Sequence, residues 1–249
     1  MGGYGKDLDP PITLEGLLEM IAERSPVGRV RISSLDPEEL SDRVISIVSE
    51  SDKFCPHFHL PLQAGEDDIL ARMRRRYTTS HYRERVERIL EAMPDAAIGT
   101  DIIVGFPGES LAQFEHCFKF VESLPLSYFH VFPYSIRTGT TAAKFSDKVA
   151  SVEIKRRAAL MRALGERKRV EFAERTLGTK LKVLLEERTE GRLTGYSRNY
   201  VRVMTDGPEN LTNFEVEVEA TLVQGSAVVG QITRIFDSPR AAAASGSPA

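Results

Sequence analysis

Polar groups suited to holding a ligand recur in this chain at the places where its apolar runs end. Asp36 follows Ser33-Ser34-Leu35, and Gln63 closes Leu60-Pro61-Leu62. Glu109 follows Gly105-Phe106-Pro107-Gly108, and Arg137 follows Pro133-Tyr134-Ser135-Ile136. Carboxylates and an amide accept or exchange hydrogen bonds with hydroxyls and amines, while a guanidinium clamps a carboxylate with two parallel bonds. Each loop alone reads as a helix cap or a turn. Brought to one edge of a sheet, the four together read as a ligand site. The best-marked loop ends the run 100–109. There Asp101 interrupts an apolar strand, and Gly105 and Gly108 let the backbone bend close to a ligand. Ser110 and Gln113 have capping-box spacing, so a helix opens there with its first N–H groups available.

Elements able to position these loops alternate along the chain. A helix capped by Thr13 carries Leu14, Leu17, Leu18 and Ile21 at helical spacing. Strands are predicted at 27–32, 58–62, 96–104 and 128–132. Helices are predicted at 38–49, 67–75, 80–93 and 111–123, with a long, charged, amphipathic one at 151–177. This order argues for an α/β fold with a parallel sheet, whose strand ends share one ligand-binding edge. After Gly178 the texture changes to five β-like runs, at 180–186, 192–196, 200–204, 214–220 and 227–235, which suit a small barrel of the oligonucleotide-binding kind. Tyr196, Arg198, Asn199, Tyr200 and Arg202 suit stacking on bases and contact with phosphate. They suit the surface of an ordinary β-barrel equally well. The units predicted are thus 1–177, 178–236 and a disordered tail over 237–249.

Bulk properties set limits. A formal net charge of -3 with 28% charged residues gives no global basic field, although Arg72, Arg74, Arg75 and Arg76 form a local run. That run reads either as a phosphate-contacting patch or as a solvated helix face. No segment is apolar enough to span a membrane, and residues 1–6 lack the apolar core of a signal peptide, so a cytoplasmic location is expected. Cys55 and Cys117, the chain's 2 cysteines, have neither disulfide-framework nor metal-site spacing and read as buried thiols. His57 and His59 share one face of a strand, but no third ligand is indicated nearby, so no metal is assigned to them.

Several motifs, in order, resemble the radical S-adenosylmethionine methylthiotransferases. They are His59-Leu60-Pro61-Leu62-Gln63-Ala64-Gly65, Arg72-Met73-Arg74-Arg75-Arg76-Tyr77-Thr78, the run 100–109, and Val131-Phe132-Pro133-Tyr134-Ser135 with Arg137-Thr138-Gly139-Thr140. Together with Gly195-Tyr196-Ser197-Arg198-Asn199-Tyr200, they are most similar to the branch acting on threonylcarbamoyladenosine at position 37 of tRNA. The resemblance implies a partial radical-SAM (β/α) barrel followed by a TRAM domain, an OB-like RNA-binding barrel. It implies tRNA and S-adenosylmethionine as partners and 4Fe–4S clusters as the family's cofactors. In the mechanism the resemblance implies, a 5′-deoxyadenosyl radical activates C2 of the adenine for sulfur insertion, and a second S-adenosylmethionine gives the methyl group. The resemblance places Gln63, Asp101, Gly105 and Glu109 beside the cofactor and Arg137 at a carboxylate or the substrate. It places Arg74, Arg75, Arg76, Tyr196, Arg198 and Tyr200 on RNA.

Two features of the family are missing from this sequence. The family carries an N-terminal domain with three cysteines and then a Cys-x-x-x-Cys-x-x-Cys motif, and neither is found. The start, near Gly2-Gly3-Tyr4-Gly5, resembles a loop after the family's second barrel strand. The chain is therefore expected to be an N-terminally truncated portion without cluster ligands, inactive alone, the missing part being either a separate partner chain or lost. The alternatives are a non-catalytic RNA-binding protein on a degenerate barrel, and an unrelated α/β enzyme that uses the same loops.

Overall fold

The segment Ala97–Val104 is apolar at nearly every position, the mark of a strand buried in a parallel sheet. In the computed structural model, which describes residues 4, 5 and 7–236, it forms β2 (Ala97–Val104). The tail expected at 237–249 lies outside the described residues. β2 is the centre of a three-stranded parallel sheet, flanked by β1 (His57–His59) and β3 (Tyr128–Pro133).

Alternation divides the side chains of this sheet between two faces. Phe58, Ile98, Ile102, Val104 and Phe129 are buried in the main core. That core also takes Val44, Ile47 and Val48 of α2 (Asp42–Glu50), Val86 and Ile89 of α4 (Thr79–Ala92), and Phe114 and Val121 of α5 (Leu111–Ser123). Each such side chain contributes about 1.5–3 kcal/mol through burial. Thr100 is the polar exception on this face. Its hydroxyl donates to the Leu60 carbonyl at 2.6 Å and accepts from the Leu62 N–H at 2.8 Å. This bridge carries strand pairing past Pro61, which has no N–H to offer. Beyond it, Gln63 N–H donates to Asp101 O and Ile103 N–H to Gln63 O, each at 2.8 Å.

The other face carries His59, Asp101, Ile103, His130 and Phe132, none of them buried. Gly99 stands in register with Tyr128. A Cβ at Gly99 would come within 2.2 Å of Tyr128 Cζ, so the ring lies across the glycine.

The capping box at Ser110 and Gln113 forms as predicted, with both reciprocal bonds. Thr13 caps α1 (Leu14–Arg24). The strand expected at 27–32 is reduced to one bridge, Val30 to Phe54, because pairing needs a partner along its whole length and only this point finds one. The helix expected at 38–49 divides into a 3-10 turn at Pro37–Glu39 and α2, since Asp36 caps the first and Ser41 the second. The helix expected at 67–75 stops as α3 (Asp67–Arg72), and Arg74 then turns left-handed at φ 58°.

The long helix is α6 (Ser151–Glu174). Its Ala158, Met161 and Leu164 enter the main core, while Phe172 and Ala173 enter a second core shared with the five strands that follow. These are β4 (Lys180–Thr189), β5 (Arg192–Ser197), β6 (Arg202–Thr205), β7 (Glu215–Gln224) and β8 (Ala227–Ile235). All five predicted runs become strands of a closed barrel in the order β4-β5-β6-β8-β7, which leaves no unpaired edge. Leu181, Val183, Leu185, Val216, Val218 and Ala220 alternate into its interior. Among the described residues no helix is long and apolar enough to cross a membrane.

Candidate functional site

The loops after β1, β2 and β3 meet at the carboxyl edge of the sheet, as a parallel arrangement requires. They enclose a cavity of about 570 Å³ whose lining includes Gln63, Arg74, Arg75, Asp101, Phe106 and Arg137. An adjoining recess of about 590 Å³ adds Asp36, Glu38 and Arg76. Both lie within the size range of small-molecule sites. Gln63 and Arg74 take left-handed backbone angles, φ 70° and 58°. For side chains other than glycine this conformation is costly and is held only by surrounding bonds. Gln63 is held by its two bonds to β2. Arg74 is held where its N–H reaches Ala71 O at 2.9 Å and the Arg75 N–H reaches Leu70 O at 2.9 Å. Arg75 stands 3.9 Å from Asp36, a loose pair across the recess.

Two expected cofactor residues turn inward instead. The Glu109 carboxylate is 4% exposed and accepts from Arg157 at 2.7 Å and from the Gly105 N–H at 2.7 Å. Burial pushes its pKa up, against the pull of Arg157 and of that N–H. Gly105 has φ 76°, and a Cβ there would lie 2.4 Å from Ile154 of α6. Its N–H and its missing side chain serve the packing of α6 on this loop, so neither residue lines the mouth cavity. Arg157 escaped the sequence reading because it comes 48 residues after its partner, with no local pattern to join them.

The residues expected to meet RNA in the barrel are engaged at a seam with the sheet. Arg198 donates to the Gly28, Asp52 and Phe54 carbonyls, and its side chain is 15% exposed. Arg29 reaches back to the carbonyls of Tyr196 and Ser197 and to Glu215 at 2.8 Å. Tyr200, left-handed at φ 65°, lies beneath the Arg31 guanidinium at 4.3 Å and stacks on Tyr196 at 4.7 Å. Arg198 is therefore a staple between the two units and not part of an open RNA face. Tyr196 and Tyr200 do border a cavity of about 260 Å³, together with Tyr128, His130, Arg169 and Arg202.

His57 and His59, paired in the sequence reading, separate in role. His57 is buried, and its Nε2 lies 2.8 Å from the Tyr128 hydroxyl. Desolvation, then the nearby Arg31 charge, push its pKa down to about 3, which keeps the ring neutral. His59 Nε2 faces Asp101 Oδ2 at 3.2 Å, and its Nδ1 lies 3.4 Å from the same tyrosine hydroxyl. His130, opposite Asp101 in register, completes a group of three. The third member was legible only as alternation in Tyr128-Phe129-His130-Val131-Phe132, because the register that faces it to Asp101 is a property of the sheet.

Neither cysteine suits an iron–sulfur cluster, which needs thiolates. Both are buried; Cys117 Sγ accepts the Gly65 N–H at 3.1 Å, and burial pushes its pKa up to about 12. The donor set of the mouth does suit S-adenosylmethionine. A carboxylate and an amide match its hydroxyls and ammonium, Arg137 matches its carboxylate, and Phe106 with Tyr134 offers apolar surface.

Residues 3–121 match the model of the radical SAM superfamily. The chain is 34% identical over 241 residues to the threonylcarbamoyladenosine tRNA methylthiotransferase MtaB of Bacillus subtilis, covering 95% of this chain and 53% of that one. It is also 34% identical over 239 residues to the tRNA-2-methylthio-N(6)-dimethylallyladenosine synthase of Thermoanaerobacter pseudethanolicus, covering 95% and 51%. The chain thus spans about half the length of these curated relatives. Among solved structures, coproporphyrinogen III oxidase (HemN) from Escherichia coli, a radical SAM enzyme, superposes with a TM-score of 0.51 at 11% identity, over 82% of this chain and 50% of that one. The likeness is one of fold.

Proposed function

We propose that this chain, which belongs to the radical SAM methylthiotransferase family, is a portion of a tRNA-modifying enzyme and supplies the wall of its S-adenosylmethionine site that lies opposite the cluster. The observation that carries the reading is the convergence of Gln63, Asp101 and Arg137 on one mouth cavity edged by Arg74 and Arg75. When bound, S-adenosylmethionine supplies an electrophilic sulfonium whose methyl and adenosyl groups can be transferred. Around it, Arg137 clamps a carboxylate, Asp101 and Gln63 hold hydroxyl or amino groups, and the loops limit the entry of water.

The substrate we favour is tRNA threonylcarbamoyladenosine, modified with a methylthio group at C2. The motif set 59–65, 131–135 and 195–200 supports it over the dimethylallyl alternative, although relatives of both kinds match at equal identity. The small barrel is read as a TRAM module, and the guanidinium groups of Arg74, Arg75 and Arg76 as phosphate contacts at the mouth, on the opposite end of the sheet. Such chemistry belongs in the cytoplasm. Because neither cysteine fits a cluster, these residues on their own are read as inactive, with the cluster ligands supplied from outside them. The same observation favours a second reading, a non-catalytic RNA-binding protein.

Calorimetry with S-adenosylmethionine, beside filter binding with tRNA, separates the two. The first reading expects both to bind, with Arg137→Ala and Asp101→Asn weakening only S-adenosylmethionine. Binding of tRNA with no response to S-adenosylmethionine leaves the second. Absence of both removes each of them.

A further inference from the structure

We propose that His59, Asp101 and His130 form a binding site for one divalent transition-metal ion of the zinc(II)–iron(II) class. The three residues come from three adjacent strands, β1, β2 and β3, and share the sheet face that the helices leave uncovered. Their donor atoms, two imidazole nitrogens and a carboxylate oxygen, all lie within 4.8 Å of one another. Bonds of about 2.0–2.2 Å around a tetrahedral ion put neighbouring donors roughly 3.3 Å apart. His59 Nε2 and Asp101 Oδ2 already stand at 3.2 Å. His130 is exposed, so its side chain has room to close the remaining distance.

Surrounding groups point the same way. A metal-bound imidazole is oriented by a hydrogen bond at its other nitrogen. His59 Nδ1 has such a partner in the Tyr128 hydroxyl, itself fixed by His57 Nε2 at 2.8 Å. With Nδ1–H donating to that oxygen, Nε2 presents its lone pair toward Asp101. Two imidazoles and one carboxylate suit zinc or iron(II), and they leave at least one coordination position for water or a ligand. Asp101 also lines the mouth cavity, so that position opens toward it.

This inference does not rest on the methylthiotransferase reading, and its test uses neither S-adenosylmethionine nor tRNA. The purified chain is dialysed to equilibrium against zinc(II), with metal analysis, and titrated with cobalt(II) followed by visible absorption. One ion per chain is expected, with cobalt bands of a nitrogen–oxygen site. His59→Ala, His130→Ala and Asp101→Asn should each weaken binding at least about 10-fold, and Tyr128→Phe should weaken it about 10-fold while keeping the stoichiometry. His116→Ala, a surface control on α5, should change nothing. Substitution at the exposed His130 keeps the test open even where His59→Ala disturbs folding. Failure to retain zinc, or retention unaffected by His130→Ala, overturns the site and leaves an ordinary imidazole–carboxylate pair.

Discussion

The two ends of the parallel sheet carry similar arginines and aromatic rings but use them differently. At the amino end, Arg29 and Arg198 close on backbone carbonyls, Tyr200 packs under Arg31 and on Tyr196, and the barrel seats there. At the carboxyl end, Arg74, Arg75 and Arg137 edge a cavity. The difference is one of partners. An arginine facing unpaired carbonyls of a neighbouring loop becomes structure, and one at strand ends facing an open mouth stays available to a ligand. Residue type alone does not separate them, and the following measurements do.

The largest effect is expected beneath the mouth, where Arg157→Ala leaves the buried Glu109 carboxylate without its ion partner. Urea unfolding should show a loss of about 3–5 kcal/mol; a loss below 1 kcal/mol would mean that this pair does not hold the loop. At the seam, Arg198→Ala should cost about 1.5–3 kcal/mol of stability, and Arg198→Lys should not restore it, because one ammonium cannot span the carbonyls that the fork reaches. A fall in tRNA affinity at unchanged stability would instead make Arg198 an RNA contact.

A pH effect, smaller over any single pH unit than the losses above, belongs to Cys117. Its thiol is pushed up to about 12 in the folded chain, against about 8.5 when unfolded. The folded state therefore keeps a proton that the unfolded state releases. The stability this gives is complete below the unfolded value and is lost as pH rises toward the folded one. Between pH 9 and 12 the wild type should lose about 1.4 kcal/mol per pH unit more than Cys117→Ala. Native Cys117 should also resist iodoacetamide at pH 8.5 and react in urea. The smallest stability change is expected at the mouth: Arg75→Ala should stay within about 0.5 kcal/mol of wild type, yet lower the salt slope of tRNA binding by about 1. An unchanged slope would place Arg75 with the structural arginines.

Much of the fold was legible because its signals are local. The capping box at Ser110 and Gln113, the apolar run of β2 and the turn-separated barrel strands each carry their cause within a few residues. The segment 27–32 misled because its alternation looks like a strand, while only Val30 finds a partner. At the site, Gln63 and Arg137 were legible from their place in strand-end loops, and Asp101 as a carboxylate interrupting the apolar run of β2. Glu109 and Arg198 have the same chemistry, but Arg157 and the Gly28, Asp52 and Phe54 carbonyls, remote in sequence, decide their use. His130 needed the register of two strands to bring it opposite Asp101.

The tyrosine ring laid over Gly99 acts as a floor between the two ends. A ligand descending the open face from the mouth meets the Tyr128 ring, which also packs on Tyr200 of the barrel at 5.4 Å. The hydrogen atom at residue 99 is thus a spacer: it sets how deep the well can be and how closely the barrel sits under it. A methyl group there would lift the floor and loosen the foundation together, so the reach of the site and the seating of the barrel cannot vary independently at this position.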